Sequence, residues 1–221
     1  MGLLTGWKRW LRNTAVYHAA GPVVLYLKNK WFDVKHGVKT AETVPMSRLR
    51  LHGPHAREGV IYATLTDGAL WASFNRIAIP YAEYSFVDFG SGKGKAILVA
   101  SQLSFRKVIG VEYSEELIGV ARKNLETCRG LERKCGGIEL LNMDAADFEI
   151  PSGPLVLYFY NPFYETVMQK VVSNIRRSLI EDPRPAYVIY MNPECGRLFE
   201  SSPEFREVER GDWHAIYASN L

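Results

Sequence analysis

Residues 86–95 constrain the fold of this chain more than any other segment. They read F-V-D-F-G-S-G-K-G-K, an apolar run that includes a carboxylate and continues into three glycines at alternate positions. The apolar run predicts a strand, and the apolar residues that follow from Ala96 predict a helix. Because glycine allows a tight turn and a close approach of backbone to ligand, this strand–loop–helix is typical of a doubly wound nucleotide-binding sheet.

The spacing of the glycines argues against a dinucleotide site. Gly90, Gly92 and Gly94 give G-x-G-x-G, and Lys95 stands where the fingerprint G-x-G-x-x-G has its last glycine. That last glycine permits close packing between helix and strand, so a lysine there disfavours an NAD-dependent oxidoreductase. The sequence also lacks an obvious pair of residues for hydride transfer.

Acidic residues mark the ends of three successive predicted strands. Asp88 lies at the end of the first, Glu112 ends the apolar run at 108–112, and Asp144 follows the run at 138–142. One isolated acid at a strand end is usually solvated, but ligands of open α/β sheets bind outside the carboxyl ends of the strands, where all three acids fall. Glu112 lies 24 positions beyond Asp88, a separation that suits a carboxylate accepting from both hydroxyls of a ribose.

The remaining periodicity completes an α/β pattern. A continuous apolar run at 155–160 predicts a central strand, residues 186–191 predict a fifth strand, and residues 205–217 predict a hairpin. Strands that alternate with helices favour a mostly parallel sheet. The helices predicted after the second and fourth strands have these predicted buried faces: Leu117, Val120, Ala121 and Leu125 in the first, and Val167, Met168, Val171, Val172, Ile175 and Leu179 in the second.

Several segments together resemble a known enzyme family. An acid two residues ahead of three alternating glycines is similar to motif I of class I S-adenosylmethionine-dependent methyltransferases. Residues 32–40 (F-D-x-x-x-G-x-x-T), the tyrosine segment 62–66 (Y-A-T-L-T), the G-S-G-K-G loop and the N-P-F turn resemble a bacterial group of uncharacterised members of that class. The tyrosine segment and the loop are more distantly similar to methyltransferases of the histone lysine-79 and ATP-synthase c-subunit types.

The resemblance implies a Rossmann-like, seven-stranded sheet that ends in an antiparallel hairpin, with S-adenosylmethionine as the cofactor. It implies that Asp88 lies near the ammonium of the methionine part, that Glu112 holds the ribose and that Asp144 contacts the adenine. The tyrosine segment is expected to fold over the cofactor. The implied cofactor-binding residues are Tyr62, Thr64, Asp88, Phe89, Gly90, Ser91, Gly92, Gly94, Glu112, Tyr113, Asp144, Ala145 and Asn161.

The turn at residues 161–163 bears on the methyl acceptor. It is similar to the (Asn/Asp)-Pro-Pro-(Tyr/Phe) motif of amino-group methyltransferases, with one proline fewer. The resemblance implies three catalytic residues, Asn161, Tyr160 and Phe163. The Asn161 side chain is expected to accept from a substrate N–H, and the aromatic side chains to pack on the substrate. The structural alternative is an ordinary Asn-Pro turn into the next helix.

Positive charge is concentrated in the N-terminal region. The net charge is +3 overall, whereas residues 1–50 hold nine Lys and Arg against two acids. We expect residues 1–50 to form a basic, aromatic-rich helical extension. This extension would be a pair of helices that cover a methyltransferase domain at residues 51–221. Such a basic face could bind nucleic acid or an acidic protein, and it could equally be an ordinary solvated surface. Within residues 1–50, Asp33, His36 and Thr40 fit either a helix-terminating turn or a functional site. His36 is a candidate base.

Cysteine usage and hydropathy limit the compartment and the partners. Cys128, Cys135 and Cys195 are an odd number without a C-x-x-C pair, so neither a disulfide framework nor a zinc site is predicted, and a reducing cytoplasm is expected. The five histidines have no metal-ligand spacing. The longest charge-free stretch, residues 13–27, is shorter than the roughly 20 residues of a membrane span, so membrane contact is not expected.

These observations predict methyl transfer from S-adenosylmethionine to a nucleophile. The favoured acceptor is an amino group of a protein lysine or of a small amine, and nucleic acid is a further candidate. Two alternatives stay open: a non-catalytic cofactor-binding module that holds an acidic partner or nucleic acid, and an NAD-dependent oxidoreductase.

Overall fold

The computed structural model of the protein describes residues 15–45, 49 and 62–220. Its strands are β1 (Ser85–Phe89), β2 (Lys107–Glu112), β3 (Ile138–Asn142), β4 (Leu155–Tyr160), β5 (Ala186–Met191), β6 (Phe205–Arg210) and β7 (His214–Ser219). Its helices are α1 (Ala15–His36), α2 (Asp67–Phe74), α3 (Lys95–Ala100), α4 (Glu115–Thr127), α5 (Glu165–Glu181) and α6 (Arg197–Glu200). Short 3-10 turns span Tyr81–Glu83 and Ala145–Asp147.

The seven strands form one sheet in the order β3-β2-β1-β4-β5-β7-β6. The first five strands in the chain pair in parallel, and β7 pairs antiparallel with both β5 and β6. The predicted Rossmann-like, mostly parallel sheet with a C-terminal hairpin is confirmed. The strand order reverses between β1 and β4, and a ligand of such a sheet binds in the crevice at that switch point.

The two faces of the sheet bury separate apolar layers. On one face the core packs under α5, whose predicted stripe of six apolar residues is buried throughout. On the other face Phe86 and Tyr158 pack against α2, α3 and the end of α1. Adjacent positions on β1 and β4 alternate between these layers, because successive side chains of a strand point to opposite faces.

The buried face of α4 differs from the prediction. Leu117 and Ala121 are buried as expected, but the other two buried positions are Ile118 and Asn124, whereas Val120 and Leu125 are only partly buried. Hydrogen bonding explains why Asn124 is among the buried residues. Asn124 points inward because its side chain hydrogen-bonds to backbone groups outside the helix, which apolar periodicity cannot predict.

In the N-terminal region the structure describes one helix, α1, and the predicted pair of helices stays a prediction. There α1 is one helix that continues through Gly21 and Pro22, and the region before residue 15 lies outside the described residues. After α1 ends, Gly37 adopts a left-handed backbone (φ 69°). The Asp33 carboxylate accepts hydrogen bonds from the Thr40 hydroxyl at 2.7 Å and from the Thr40 and Ala41 N–H groups at 2.8 and 2.9 Å. The F-D-x-x-x-G-x-x-T segment is therefore a helix-terminating turn.

Candidate functional site

A small cavity lies at the switch point between β1 and β4. The end of β1 and the glycine loop form one wall, β4 forms another, and the tyrosine segment covers them. Its lining residues are Tyr62, Ala63, Thr64, Leu65, Leu70, Asp88, Gly90, Ser91, Lys95, Ala96, Tyr158 and Tyr160. Six of the sequence-predicted site residues, from three separate parts of the chain, therefore meet here: Tyr62, Thr64, Asp88, Gly90, Ser91 and Tyr160.

Asp88 supplies a buried carboxylate to this cavity. Its position on β1 is opposite Tyr158 of β4 and Gly110 of β2. Burial, and to a smaller extent the negative charge of Glu112, raises the pKa of Asp88 to about 8. A ligand group that carries positive charge next to Asp88 would favour its ionised form.

Lys95 supplies a buried cation to the same cavity and was not among the predicted site residues. Its ammonium donates a hydrogen bond to Asn29 Oδ1 of α1 and lies 4.3 Å from the centre of the Phe32 ring. Burial lowers the pKa of Lys95 to about 8. In the sequence, the place of Lys95 at the sixth position of the loop motif argues only against a dinucleotide site.

Two buried hydroxyls in this cavity lack hydrogen-bond partners among the described residues. They belong to Ser91 of the glycine loop and Tyr158 of β4. Buried polar groups are paired in most native proteins, and an unpaired one costs about 1–3 kcal/mol. Two of them in one cavity, beside the Asp88 carboxyl group and the Lys95 amino group, are suited to pair with a small polar ligand.

Glu112 holds the glycine loop to the end of β2. Its carboxylate accepts from the Gly92 N–H and from the Ser114 N–H, each at 2.8 Å. Burial raises the pKa of Glu112, and these backbone hydrogen bonds oppose the rise. The predicted ribose-binding acid is therefore buried beside the loop.

The glycines of the loop are required by backbone conformation and by crowding. Gly90 and Gly92 both have positive φ (75° and 53°). A β-carbon on Gly90 would lie 2.5 Å from Pro162 Cβ, and one on Gly92 would overlap the ring of Tyr62. The loop thus touches both the N-P-F turn and the tyrosine segment.

The tyrosine segment is tied to the N-terminal region. The Tyr62 hydroxyl donates to the Thr40 carbonyl at 3.0 Å, and Tyr62 and Val44 exchange backbone hydrogen bonds. Lys93 of the glycine loop donates to the Glu42 carbonyl at 2.9 Å, and its ammonium lies 5.1 Å from the centre of the Tyr62 ring. Residues 38–44 and the tyrosine segment therefore cover the loop together.

Asn124 is a second residue that sequence reasoning missed. Its side-chain N–H groups donate to the Lys93 carbonyl at 2.8 Å and to the Lys39 carbonyl at 3.3 Å. Its oxygen accepts from the Lys39 N–H at 2.8 Å. It joins α4, the glycine loop and the N-terminal cover, and no local pattern signals that role.

The turn after β4 brings Asn161 beside the loop. Asn161 has a left-handed backbone (φ 39°) and is 8% exposed. Tyr160 lines the cavity, whereas Phe163 packs against the core layer under α5. Phe89 likewise lies in that layer, where its ring stacks on Phe159.

The remaining predicted residues lie beyond the ends of β2 and β3. The Tyr113 carbonyl accepts from the Asn142 side chain at 3.0 Å. Asp144 caps the short turn that contains buried Ala145, accepting from the Ala146 N–H at 2.9 Å. His36 instead lies at the end of α1, where its ring hydrogen-bonds to the Arg129 carbonyl at 2.9 Å, and it does not line the cavity.

The described residues hold neither a metal-binding group nor a membrane-spanning helix. In residues 15–45, 49 and 62–220, no three His, Cys, Asp or Glu side chains are grouped so that they could hold a metal ion. None of the described helices has the length and apolar character needed to cross a bilayer.

Comparison with known proteins finds a methyltransferase domain in the central part of the chain. Residues 87–183 match the family model described as a methyltransferase domain. No curated protein matches the chain. The matched segment contains the glycine loop, β2 to β4, the N-P-F turn and α5.

Solved structures share the fold. A putative RNA methyltransferase from Pyrococcus horikoshii is 17% identical, with a TM-score of 0.53 over 80% of this chain and 96% of that chain. A SAM-dependent methyltransferase from Leishmania major is 12% identical, with a TM-score of 0.50 over 69% and 71% of the two chains. A StiE O-MT structure is 20% identical, with a TM-score of 0.48 over 64% of this chain. The chain spans 53% of the length of that structure. At these identities the likeness concerns the fold alone.

The family match and the fold confirm the resemblance to class I enzymes. The domain match supports enzymatic methyl transfer from S-adenosylmethionine, and the fold agrees with it. The two alternatives, an NAD-dependent oxidoreductase and a non-catalytic module, are not supported.

Proposed function

We propose that this methyltransferase transfers the methyl group to nitrogen, specifically to an amino group of a protein lysine or of a small amine. The observation that carries the proposal is the contact between the turn at Asn161 and the glycine loop. Pro162 packs directly on Gly90, and Asn161 is nearly buried beside that contact. The turn proposed to receive the acceptor is therefore fixed against the loop proposed to hold the donor.

Asn161 is proposed to orient the acceptor. An amide oxygen accepts from an amine N–H, and that hydrogen bond fixes the direction of the nitrogen lone pair. Methyl transfer needs this lone pair in line with the breaking bond, so orientation is the main contribution that the protein can make. Tyr160 lies next to Asn161 and lines the cavity, and it is proposed to pack on the apolar part of the acceptor.

The acceptor amine must be neutral, because a protonated amine has no lone pair to donate. Burial raises the pKa of both Tyr158 and Tyr160. Surroundings that disfavour a phenolate also disfavour an ammonium, so an amine that enters beside Tyr160 would have a lowered pKa. Proton loss is thereby favoured by the surroundings, and no described side chain is assigned as a general base.

The cavity residues fit the amino-acid part of the donor. S-adenosylmethionine, when bound, supplies an electrophilic methyl group on a positively charged sulfur. Its amino-acid part is a zwitterion, and the cavity contains one buried carboxyl group and one buried lysine, whose charged forms this zwitterion would favour. We assign Asp88 to the ammonium and Lys95 to the carboxylate, with the unpaired Ser91 and Tyr158 hydroxyls as further hydrogen-bonding groups.

For the nucleoside part we retain the assignments implied by the resemblance. Glu112 is proposed to accept from the ribose hydroxyls, and its buried position at the end of β2 supports that role. Asp144 is proposed to contact the adenine amino group, with Tyr113 and Ala145 as neighbours. Asp144 is already oriented by the Ala146 N–H, so its side chain is preorganised.

The same proposal covers the organisation of the chain. We retain residues 1–50 as an N-terminal extension and 51–221 as the methyltransferase domain, with contacts from Thr40 and Glu42 that bring part of the extension to the site. Three free thiols support the reducing cytoplasm as its location.

Transfer of a labelled methyl group tests the proposal directly. The purified protein would be incubated with labelled S-adenosylmethionine and a cell lysate, and the methylated products would be hydrolysed and identified by mass spectrometry. An N-methylated amine is the expected product. A methyl ester or a methyl ether as the main product would contradict the assignment to nitrogen.

A further inference from the structure

An apolar surface on the outside of α1 is not used by the site. Seven of the eleven exposed large apolar side chains of the described residues belong to this one helix. The other four, Tyr164, Ile180, Val208 and Trp213, are on other elements. Single exposed apolar residues are normal on a protein surface, whereas a contiguous apolar patch marks an interaction site.

The helix has two distinct faces. Its inner face, formed by Asn29, Phe32, Asp33 and His36, is buried against the domain. Side chains three and four positions apart share a face of a helix, so Val24, Leu27, Trp31 and Val34 form one stripe on the opposite side. These four residues are 46% to 74% exposed. We call them the outer stripe.

Lysines border the outer stripe on both sides. At 3.6 residues per turn, Lys28 and Lys35 lie along one border and Lys30 along the other. The Lys35 ammonium lies 4.8 Å from the centre of the Trp31 ring. Asp33, which is the only acid in α1, lies on the buried face and is hydrogen-bonded to Thr40. The exposed charges of the described part of α1 are therefore all positive, but Lys30 forms a salt bridge with the exposed Glu42 at 3.0 Å. Lys28 and Lys35 therefore supply the positive charge beside the outer stripe.

We propose that the outer stripe binds the surface of a bilayer that contains anionic lipids. A helix with an apolar face and flanking lysines lies in the membrane interface, with the lysine stems along the apolar surface and the ammonium groups at the headgroups. Tryptophan is favoured at that interface because its ring is amphipathic. Since α1 cannot cross a bilayer, it lies along the surface.

The charges and the width of the surface favour lipid over a protein helix. Pairing of α1 with a second copy would bring lysines that flank the stripe close to each other, and like charges at such positions oppose association. The apolar surface is also wider than the two positions per heptad of a helix-pairing seam, because Val23 is exposed next to the outer stripe.

Vesicle co-sedimentation of the full-length protein tests the proposal. Vesicles of phosphatidylcholine and phosphatidylglycerol in equal parts would be compared with vesicles of phosphatidylcholine alone. We expect binding to the anionic vesicles and a decrease of roughly tenfold or more in the partition coefficient of Trp31→Glu. The matched control is Trp213→Glu, since Trp213 is similarly exposed but lies in the turn between β6 and β7. Each of Lys28→Gln and Lys35→Gln should reduce binding about fivefold.

Several outcomes would overturn the proposal. Absence of binding by the unmodified protein, or equal binding by Trp31→Glu and the unmodified protein, excludes a lipid role for the outer stripe. Equal binding to both kinds of vesicle excludes the anionic component. A dimer in light scattering that Trp31→Glu converts to a monomer would assign the stripe to a second copy instead. Circular dichroism and S-adenosylhomocysteine binding of Trp31→Glu verify that the fold is retained.

Discussion

The carboxylate of Glu112 accepts a hydrogen bond from the backbone N–H of Gly92 across 2.8 Å. Its second oxygen accepts from the N–H of Ser114, at the start of α4. One buried side chain therefore links the end of β2, the middle of the glycine loop and the helix that follows. If Glu112 also holds the ribose, the shape of the loop and the binding of the cofactor depend on the same carboxylate.

Replacement of this carboxylate should weaken cofactor binding more than replacement of an acid nearby. We expect Glu112→Ala to reduce the affinity for S-adenosylhomocysteine by about 1.5–3 kcal/mol, the contribution of a hydrogen bond to a charged group. Glu115→Ala is the control, because Glu115 is an exposed acid in the first turn of α4 and should change the affinity by less than about 1 kcal/mol. Calorimetric titration gives both values, and equal losses would mean that the wrong acid is assigned.

The raised pKa of Asp88 should make folding stability depend on pH. The unfolded carboxyl ionises near its ordinary pKa of about 4, whereas the folded one keeps its proton up to about pH 8. Between these values the folded state binds more protons, so stability falls as pH rises, by up to about 1.4 kcal/mol per pH unit.

Asp88→Asn should remove this contribution to the slope between pH 4 and pH 8, because the amide does not titrate. Denaturant unfolding of the ligand-free protein at several pH values measures it. Identical slopes for the variant and the unmodified protein would show that Asp88 is ionised in the folded state throughout this range.

The assignment of Lys95 to the donor carboxylate can be separated from a purely structural role. Lys95→Met should weaken S-adenosylhomocysteine binding by roughly tenfold or more, because a charge-assisted hydrogen bond is lost. Methylthioadenosine lacks the amino-acid part, so its affinity should change little. A similar loss for both ligands would indicate that Lys95 supports the fold, through its hydrogen bond to Asn29, and does not contact the ligand.

Gly92 should tolerate no side chain while the tyrosine segment covers the loop. Gly92→Ala must accommodate a β-carbon that overlaps the Tyr62 ring, as well as a left-handed backbone that costs about 1–2 kcal/mol for alanine. We expect both lower stability and loss of cofactor binding. Gly130→Ala is the matched control, because Gly130 also has positive φ but its β-carbon would meet no atom closer than 3.7 Å. Equal cofactor affinity in the two folded variants would exclude a role for the Gly92–Tyr62 contact.

Chemistry should depend on Asn161 more than cofactor binding does. We expect Asn161→Ala to reduce turnover on the order of a hundredfold, since small misplacements of a reacting atom have effects of that size. Affinity for S-adenosylhomocysteine should change much less. Asn192 provides a close control, because it also precedes a proline at a strand end and also has a left-handed backbone (φ 49°). Asn192→Ala therefore imposes the same backbone strain. Equal turnover in the two variants would show that Asn161 only forms the turn and does not orient the acceptor.

The sequence predicted those parts of the site that are encoded locally. The strand, carboxylate and glycines of residues 86–95 specify a strand–loop–helix by themselves, and the ends of β2, β3 and β4 follow from their apolar runs. The six-residue stripe of α5 was also correct, because apolar periodicity records which face of a long helix is buried. The rule that ligands bind at the carboxyl ends of the strands then placed the three acids at the site, and the resemblance implied which part of the cofactor each contacts.

Only the tertiary structure decided which polar side chains complete the site. Lys95 meets Asn29 across 66 positions of sequence, and Asn124 meets Lys93 and Lys39 across 31 and 85 positions. The loop conformation also depends on Tyr62, whose ring fills the space beside Gly92. A residue's own neighbours in sequence determine its helix or strand preference, but a buried polar group is stabilised only by the partners that the fold brings to it. For this reason the sequence by itself specified the sheet and the glycine loop, and the packing of the N-terminal segment decided the cavity, its buried charges and its cover.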